Sequence, residues 1–65
     1  MKFLPKKVKK LKKNDVLYVL GRDLVLEDSI SNGNGKHEII VKDTKDNNKI
    51  KRFSLYSNSE VVVKE

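Results

Sequence analysis

The fold of this chain is decided by the stretch LVLEDSISNGNGKHEIIVKD, residues 24–43. Apolar residues recur at every second position on both sides of a central Asn-Gly-Asn-Gly sequence, residues 32–35. Such alternation is typical of β-strands that bury one face. Asn and Gly accept the positive φ angles that tight hairpin turns require. The stretch therefore predicts a β-hairpin with strands at residues 24–30 and 37–43.

Shorter apolar runs separated by polar turns flank this hairpin. The run from Val16 to Leu20 is apolar on both faces, and Gly21–Asp23 supplies the turn that follows it. A polar turn is expected at residues 43–48 and a short helical turn at residues 55–58. The five expected strands cover residues 16–20, 24–30, 37–43, 50–53 and 60–64. Short strands at this spacing predict an all-β fold, either a small barrel or a sandwich.

The segment that leads into the first of these strands resembles a known family. Leu11-Lys12-Lys13-Asn14-Asp15-Val16 is similar to the start of many small SH3-like barrels, including KOW-type modules. That family has a left-handed glycine where this chain has Asn14, which tolerates the same conformation. The turn at residues 55–58 is also similar to the 3₁₀ turn of these barrels. The resemblance implies a small five-stranded SH3-like barrel over residues 14–65 with a basic N-terminal arm at residues 1–13, and it assigns no activity.

Length and composition restrict the classes of function. A chain of 65 residues forms one domain, and a domain of this size buries only about 60% of its unfolded surface, which disfavours a water-excluding active site. There is no cysteine, so neither a disulfide nor a thiolate zinc site is possible. No apolar run has the length of a signal peptide or a membrane span. We therefore expect a cytoplasmic binding protein that is not an enzyme.

Three polar features are candidates for a reactive or ligand-binding site, and the sequence favours a plain structural role for each. His37 is the only histidine, and no nucleophile or acid can be placed beside it from spacing, so we expect a solvent-facing strand residue. Asp43–Asn48 lacks the Gly and Glu of a calcium loop. Asn32–Lys36 lacks the further glycines and the helix of a phosphate-binding loop. We predict no catalytic residue, no metal and no cofactor.

Charge is distributed unevenly along the chain. The net charge is +6, yet residues 1–13 hold seven lysines and no acidic residue. Such asymmetry indicates an anionic partner, and lysines bind nucleic-acid phosphates without recognising bases. The predicted nucleic-acid-binding residues are Lys2, Lys6, Lys7, Lys9, Lys10, Lys12, Lys13, Arg22, Lys36, Lys49, Lys51 and Arg52. Candidate faces for base stacking are Tyr18, Phe53 and Tyr56.

The conformation of the lysine-rich segment is left open by its sequence. Leu4, Val8 and Leu11 would share one face of a helix. The same residues suit an extended segment whose apolar side chains cover the barrel. Both alternatives remain, and they differ in whether the segment belongs to the fold.

An excess of apolar residues supports a second function. The expected core consists of Tyr18, Leu24, Leu26, Ile39, Val41, Val61 and Val63. The outer face then keeps Leu17, Val19, Val25, Ile40 and Val62, more than scattered exposure explains. Strand bending or cover by the N-terminal segment would bury these residues; otherwise they form a partner interface.

Two functional hypotheses follow. The first is a small accessory protein that binds nucleic acid non-specifically through the lysine-rich segment and the basic barrel surface. The alternative is a protein-interaction module or inhibitor, of the phage or mobile-element type, that docks on a larger protein or on a second copy through its apolar outer face. An acidic membrane surface is not the expected partner, because one short segment anchors weakly.

Overall fold

Residues 2–65, which the computed structural model describes, form six β-strands and one 3₁₀ turn. In chain order these elements are β1 (Phe3–Lys7), the 3₁₀ turn η1 (Val8–Lys10), β2 (Val16–Val19), β3 (Arg22–Ser31), β4 (Lys36–Asp43), β5 (Lys49–Tyr56) and β6 (Glu60–Lys64). The strands pair in the order β1-β6-β2-β3-β4-β5, and every neighbouring pair is antiparallel. The predicted all-β class is confirmed. Met1, the first residue of the predicted arm, lies outside the described residues.

The prediction of a closed five-stranded barrel is wrong in two respects. The sheet of residues 2–65 has six strands, and it is open, with β1 at one edge and β5 at the other. The additional strand comes from the lysine-rich segment, where charged residues hide any alternation. Pairing with β6 creates it: Lys2 and Glu65 exchange backbone hydrogen bonds, and Leu4 lies opposite Val63. Of the two conformations left open for this segment, the extended one is observed, followed by η1.

Pro5 occupies a position in β1 that a sheet tolerates. The N–H groups of Lys2 and Val8 donate to the carbonyls of Glu65 and Ser59, so the even-numbered residues of this segment bond towards β6. Strand geometry then directs the odd-numbered backbone groups to the free edge. The N–H that Pro5 lacks would have faced solvent, and its absence from the exposed edge hinders the addition of a further strand.

One face of the sheet forms the hydrophobic core. Its buried residues are Val8, Leu11, Leu17, Leu24, Leu26, Ile39, Val41 and Val63. Five of the predicted core residues belong to this cluster, namely Leu24, Leu26, Ile39, Val41 and Val63. A sixth, Val61, is half-buried and packs against it. Two lysine-rich-segment residues, Val8 and Leu11, complete the core from outside the predicted barrel.

The predictions for the two faces of β2 are wrong. Leu17, expected on the outer face, is fully buried, whereas Tyr18, expected in the core, is exposed. The run from Val16 to Leu20 is apolar on both faces, so its pattern could not choose between them. The register of strand pairing determines which face of β2 is buried, because Leu17 lies opposite Leu24 and Val63 of the core.

Several turns form where residues accept a positive φ. Asn14 has a φ of 76°, which confirms the left-handed conformation expected at the start of β2. Gly33 and Gly35, at 81° and 76°, shape the predicted hairpin turn between β3 and β4. Asn47 and Asn48, at 54° and 58°, do the same for the polar turn before β5. Both predicted turns are confirmed.

The turn between β2 and β3 differs from its prediction. It lies at Leu20–Gly21, because Val19 pairs with Arg22 and leaves a two-residue loop. Leu20 and Gly21 have φ angles of 51° and 77°, as a type I′ turn requires at both central positions. Leu20 is 97% exposed and therefore gains no packing in return for this strained conformation.

The end of β5 also differs from its prediction. A helical turn was expected at residues 55–58, but β5 continues to Tyr56 because Leu55 pairs with His37 and Tyr56 with Lys36. The turn is confined to Ser57 and Asn58.

A bulge in β3, where the register shifts between Leu26 and Asp28, bends the sheet beside the Asn14 turn.

Candidate nucleic-acid interface

The lysine-rich segment is fixed to the body of the protein by its apolar residues and its backbone. Val8 is fully buried and Leu11 is 9% exposed. The Val8 and Lys9 N–H groups donate to the carbonyls of Ser59 and Ser57 at 2.9 and 3.0 Å. With the backbone and these apolar side chains held inward, the lysines between them project into solvent.

Six of the seven lysines are exposed, and we call this set of residues the lysine ridge. Its members are Lys2, Lys7, Lys9, Lys10, Lys12 and Lys13. No carboxylate oxygen of residues 2–65 lies within 4.0 Å of any of these ammonium groups. Cations that are exposed and have no acidic partner are available to a polyanion, since no existing ion pair must be broken.

Lys6 has a different role from the ridge. Its ammonium donates to Asp15 Oδ2 at 2.9 Å, and the Lys12 N–H donates to the same oxygen at 2.9 Å. Partial burial acts to raise the pKa of Asp15, but these two hydrogen bonds outweigh it and lower that pKa. Lys6 therefore joins β1 to the start of β2, and a phosphate contact by Lys6 would require this ion pair to be broken.

The predicted basic residues of the sheet are likewise divided between paired and unpaired groups. Arg22 and Lys51 both contact Asp43 Oδ2, at 2.6 and 3.2 Å. Arg52 pairs with Glu38 at 3.4 Å. Lys36 and Lys49 have no carboxylate partner within residues 2–65. Of the twelve predicted contacts, four are thus engaged in ion pairs, and Lys36 and Lys49 are the sheet lysines that remain unpaired within residues 2–65.

Asp43 organises the paired group, and sequence reasoning missed it. Its side chain is fully buried and also accepts the Lys45 N–H at 3.1 Å. The hydrogen bond from Arg22 lowers the pKa of Asp43, against the opposing effect of burial, with help from Lys51. The signal was present in the alternation of β4, which places Asp43 on the same inward face as Ile39 and Val41.

The opposite end of the β4–β5 hairpin brings basic and aromatic residues together. The Ser57 N–H donates to the Gly35 carbonyl at 2.8 Å, next to the Lys9–Ser57 hydrogen bond. His37 Nδ1 lies 2.6 Å from Ser57 Oγ, and His37 is half-buried where a solvent-facing residue was expected. Tyr56 is 63% exposed at this end. The Lys36 ammonium lies 4.9 Å from the centre of its ring.

The other candidate stacking residues are less accessible. Phe53 is half-buried against the core. The Tyr18 ring packs against Phe3, with ring centroids 5.0 Å apart. Of the aromatic residues predicted to stack on bases, Tyr56 alone combines a mostly exposed ring with a neighbouring lysine.

The outer face of the sheet carries an apolar patch that differs from the predicted one. Val62 is 42% exposed on this face, whereas Val25 and Ile40 are half-buried. Val19, 37% exposed, alternates with Tyr18 and so lies at the end of β2 on the same side as Leu17, not on the outer face. Leu17 is excluded because it lies in the core. Phe3 and Tyr18, at 51% and 39% exposed, join Val62 on this face. The patch is therefore partly aromatic, which the sequence did not indicate.

A small cavity lies between β1, β6 and the start of β2. Its volume is about 280 Å³, and its walls include Lys6, Asn14 and Asp15. Typical pockets for small molecules are larger, about 300–1,000 Å³. Across residues 2–65, no three His, Cys, Asp or Glu side chains are grouped as metal ligands.

Comparison with known proteins assigns no family. The sequence matches no model of a known protein family, and no curated protein is significantly similar to it. Function must therefore be argued from the surface itself.

Proposed function

We propose that this protein is a small, non-enzymatic accessory protein of the cytoplasm that binds nucleic acid non-specifically through the lysine ridge. The single observation that carries the proposal is that six exposed lysines of one segment lack any carboxylate partner within residues 2–65, whereas four other predicted contacts are engaged in ion pairs. Lysines of this kind bind the phosphate backbone and release counterions, which supplies affinity without base recognition.

The geometry of the segment supports this function. Because Val8 and Leu11 anchor the backbone in the core, the ridge lysines are held on an ordered surface and lose little backbone entropy when a polyanion binds. Ser57 joins Lys9 of η1 to Gly35 through backbone hydrogen bonds, so β4, which begins with the unpaired Lys36, starts near the ridge. A relationship to SH3-like modules is part of the proposal and rests on the left-handed Asn14 before β2.

The experiment is a fluorescence anisotropy titration of labelled DNA and RNA over a series of salt concentrations, using the full chain. Replacing Lys9, Lys10, Lys12 and Lys13 with Gln should weaken binding of every sequence. The log–log salt slope should fall by about one for each lost phosphate contact. The control is Lys45→Gln, an exposed lysine of the turn between β4 and β5 that is not among the predicted contacts, for which we expect a smaller change per lysine removed.

Two outcomes would contradict the proposal. One is the absence of binding at low salt by the folded protein. The other is an equal loss of affinity per lysine in the ridge variant and in the control, because net charge alone would then explain the binding.

The outer apolar patch supports a second candidate, an interaction module that docks on a protein. The specific observation is the aromatic contact between Phe3 and Tyr18 on an exposed face beside Val62. Apolar association persists at high salt, whereas phosphate contacts weaken. The second candidate therefore predicts complexes that survive the upper end of a salt series, whatever residues the ridge carries.

A further inference from the structure

We infer that the nucleic acid bound by this protein is single-stranded, and that one unpaired base stacks on Tyr56 while the adjacent phosphates contact Lys36 and Lys9. This inference rests on the proposed function and specifies its substrate class. Duplex DNA keeps its bases stacked inside the helix, so an exposed aromatic ring is useful chiefly to a strand whose bases are free.

The position of Tyr56 carries the first step. It is the last residue of β5, at the edge of the sheet, and 63% of it is exposed. An exposed aromatic ring at a strand end contributes little to the core. Sheets that bind single strands use such rings as platforms, because every base has a face that can stack.

The surroundings of the ring carry the second step. The Lys36 ammonium lies 4.9 Å from the ring centre, as a cation–π contact that leaves the other ring face for a base. The Lys9 backbone is joined to Ser57, the residue after Tyr56, by a 3.0 Å hydrogen bond. Lys36 of β4 therefore contacts the ring, and the backbone of Lys9 in η1 is held at the residue that follows it.

The rigidity of this end carries the third step. Ser57 accepts from Lys9 and donates to Gly35 through its backbone, and its hydroxyl lies 2.6 Å from His37 Nδ1. Three chain segments are thus joined at one residue. The nearest acidic side chain of β4, Glu38, is paired with Arg52 at 3.4 Å. Because the backbone around Tyr56 is held by these hydrogen bonds, the ring needs little reorganisation when a strand binds.

The test compares a labelled oligonucleotide of about 12 nucleotides, single-stranded and as a duplex of the same sequence, at one low salt concentration. We expect the single strand to bind more tightly. Tyr56→Ala should weaken single-strand binding about tenfold and leave duplex binding within about twofold. Tyr56→Phe should retain the affinity of the original chain, since it keeps the ring.

A second measurement does not depend on the fold of the alanine variant. The chain has two tyrosines and no tryptophan, so Tyr18→Phe leaves Tyr56 as the sole tyrosine. Its emission should be quenched by the single strand and much less by the duplex.

The outcomes separate the two proposals. If the ridge variant weakens binding but Tyr56→Ala does not, and Tyr56 emission is unchanged, the stacking inference is overturned while the proposed function stands. If the original chain binds neither oligonucleotide, the proposed function fails and the inference fails with it. Loss of single-strand affinity in Tyr56→Ala, with quenching, supports both.

Discussion

The lysine ridge and the Asp43 cluster, by which we mean Asp43 with Arg22 and Lys51, both contain basic residues, but those of the ridge are unpaired and those of the cluster are in ion pairs. In the ridge, buried apolar residues hold the backbone while the ammonium groups remain unpaired in solvent. In the cluster, Arg22 and Lys51 converge on one fully buried carboxylate. The difference teaches that the role of a cation here is set by the acid beside it. A count of basic residues placed both groups in one binding surface, whereas the structure separates a surface available to a partner from a structural ion-pair group.

The largest expected effect comes from deleting residues 1–13. This deletion tests whether the segment that carries the ridge is part of the fold or a dispensable arm. Losing a buried leucine alone costs about 2–5 kcal/mol, and the deletion removes both Val8 and Leu11 together with β1. The whole stability of a small domain is only about 5 kcal/mol. We expect residues 14–65 to show no cooperative thermal transition by circular dichroism. An unfolding transition like that of the full chain would show that the segment is not part of the fold.

Asp43→Asn gives the next effect and tests the cluster side of the comparison. The variant keeps the shape of the side chain but leaves Arg22 and Lys51 without their counter-charge, so the melting temperature should fall by several degrees. Because the folded pKa of Asp43 is lowered, its stabilising contribution is present above the unfolded value near 3.8 and is lost as pH falls through the folded pKa. The difference in melting temperature between the two proteins should therefore shrink below about pH 4.

Glu60→Gln is the matched control for Asp43→Asn. Glu60 is an exposed carboxylate with no ion pair in residues 2–65, and we expect its replacement to change the melting temperature little at any pH. Similar effects of the two substitutions would contradict a special role for Asp43.

Leu20→Asn should give the smallest effect. It tests the two-residue turn that leads into Arg22, a member of the Asp43 cluster. Leu20 adopts a positive φ beside Gly21, two residues before Arg22. A left-handed conformation costs most residues about 1–2 kcal/mol, and Asn much less. We expect Leu20→Asn to raise the free energy of unfolding by about 1 kcal/mol in urea denaturation. The control Leu20→Val should lower it, because β-branched residues resist positive φ most strongly; a destabilised asparagine variant would contradict this account.

Much of the fold could be predicted because local patterns and long-range pairing agree. The alternation around Asn32–Gly35 specifies β3, its turn and β4 without help from other strands. The run from Val16 to Leu20 could not be assigned, because an apolar residue at every position leaves the choice of face to the register with β3 and β6. β1 was missed for a similar reason, since its pairing with β6 is non-local and lysines conceal its pattern.

The candidate site was predicted less completely than the fold. The ridge lysines are exposed and lack a carboxylate partner in residues 2–65, while their contact with nucleic acid stays a prediction. The pairing of Lys6, Arg22, Lys51 and Arg52 was not predicted, since each partner is brought by the sheet from another strand or a distant turn. Tyr56 was one of three aromatic residues that the sequence suggested for base stacking. Its position at the end of β5, where it is 63% exposed, distinguishes it from the other two, and the sequence alone did not give that position.

The pairing of β1 with β6 has a consequence for how the molecule assembles. Phe3 lies opposite Lys64, so this contact closes a loop of about 60 residues. Closing a long loop costs more entropy than closing a hairpin and is therefore slower. The hairpins from β2 to β5 can form first. During synthesis β1 has no partner until β6 has left the ribosome, so we expect the first lysines to remain a flexible cationic tail until then. The ridge becomes an ordered surface only in the last step of folding.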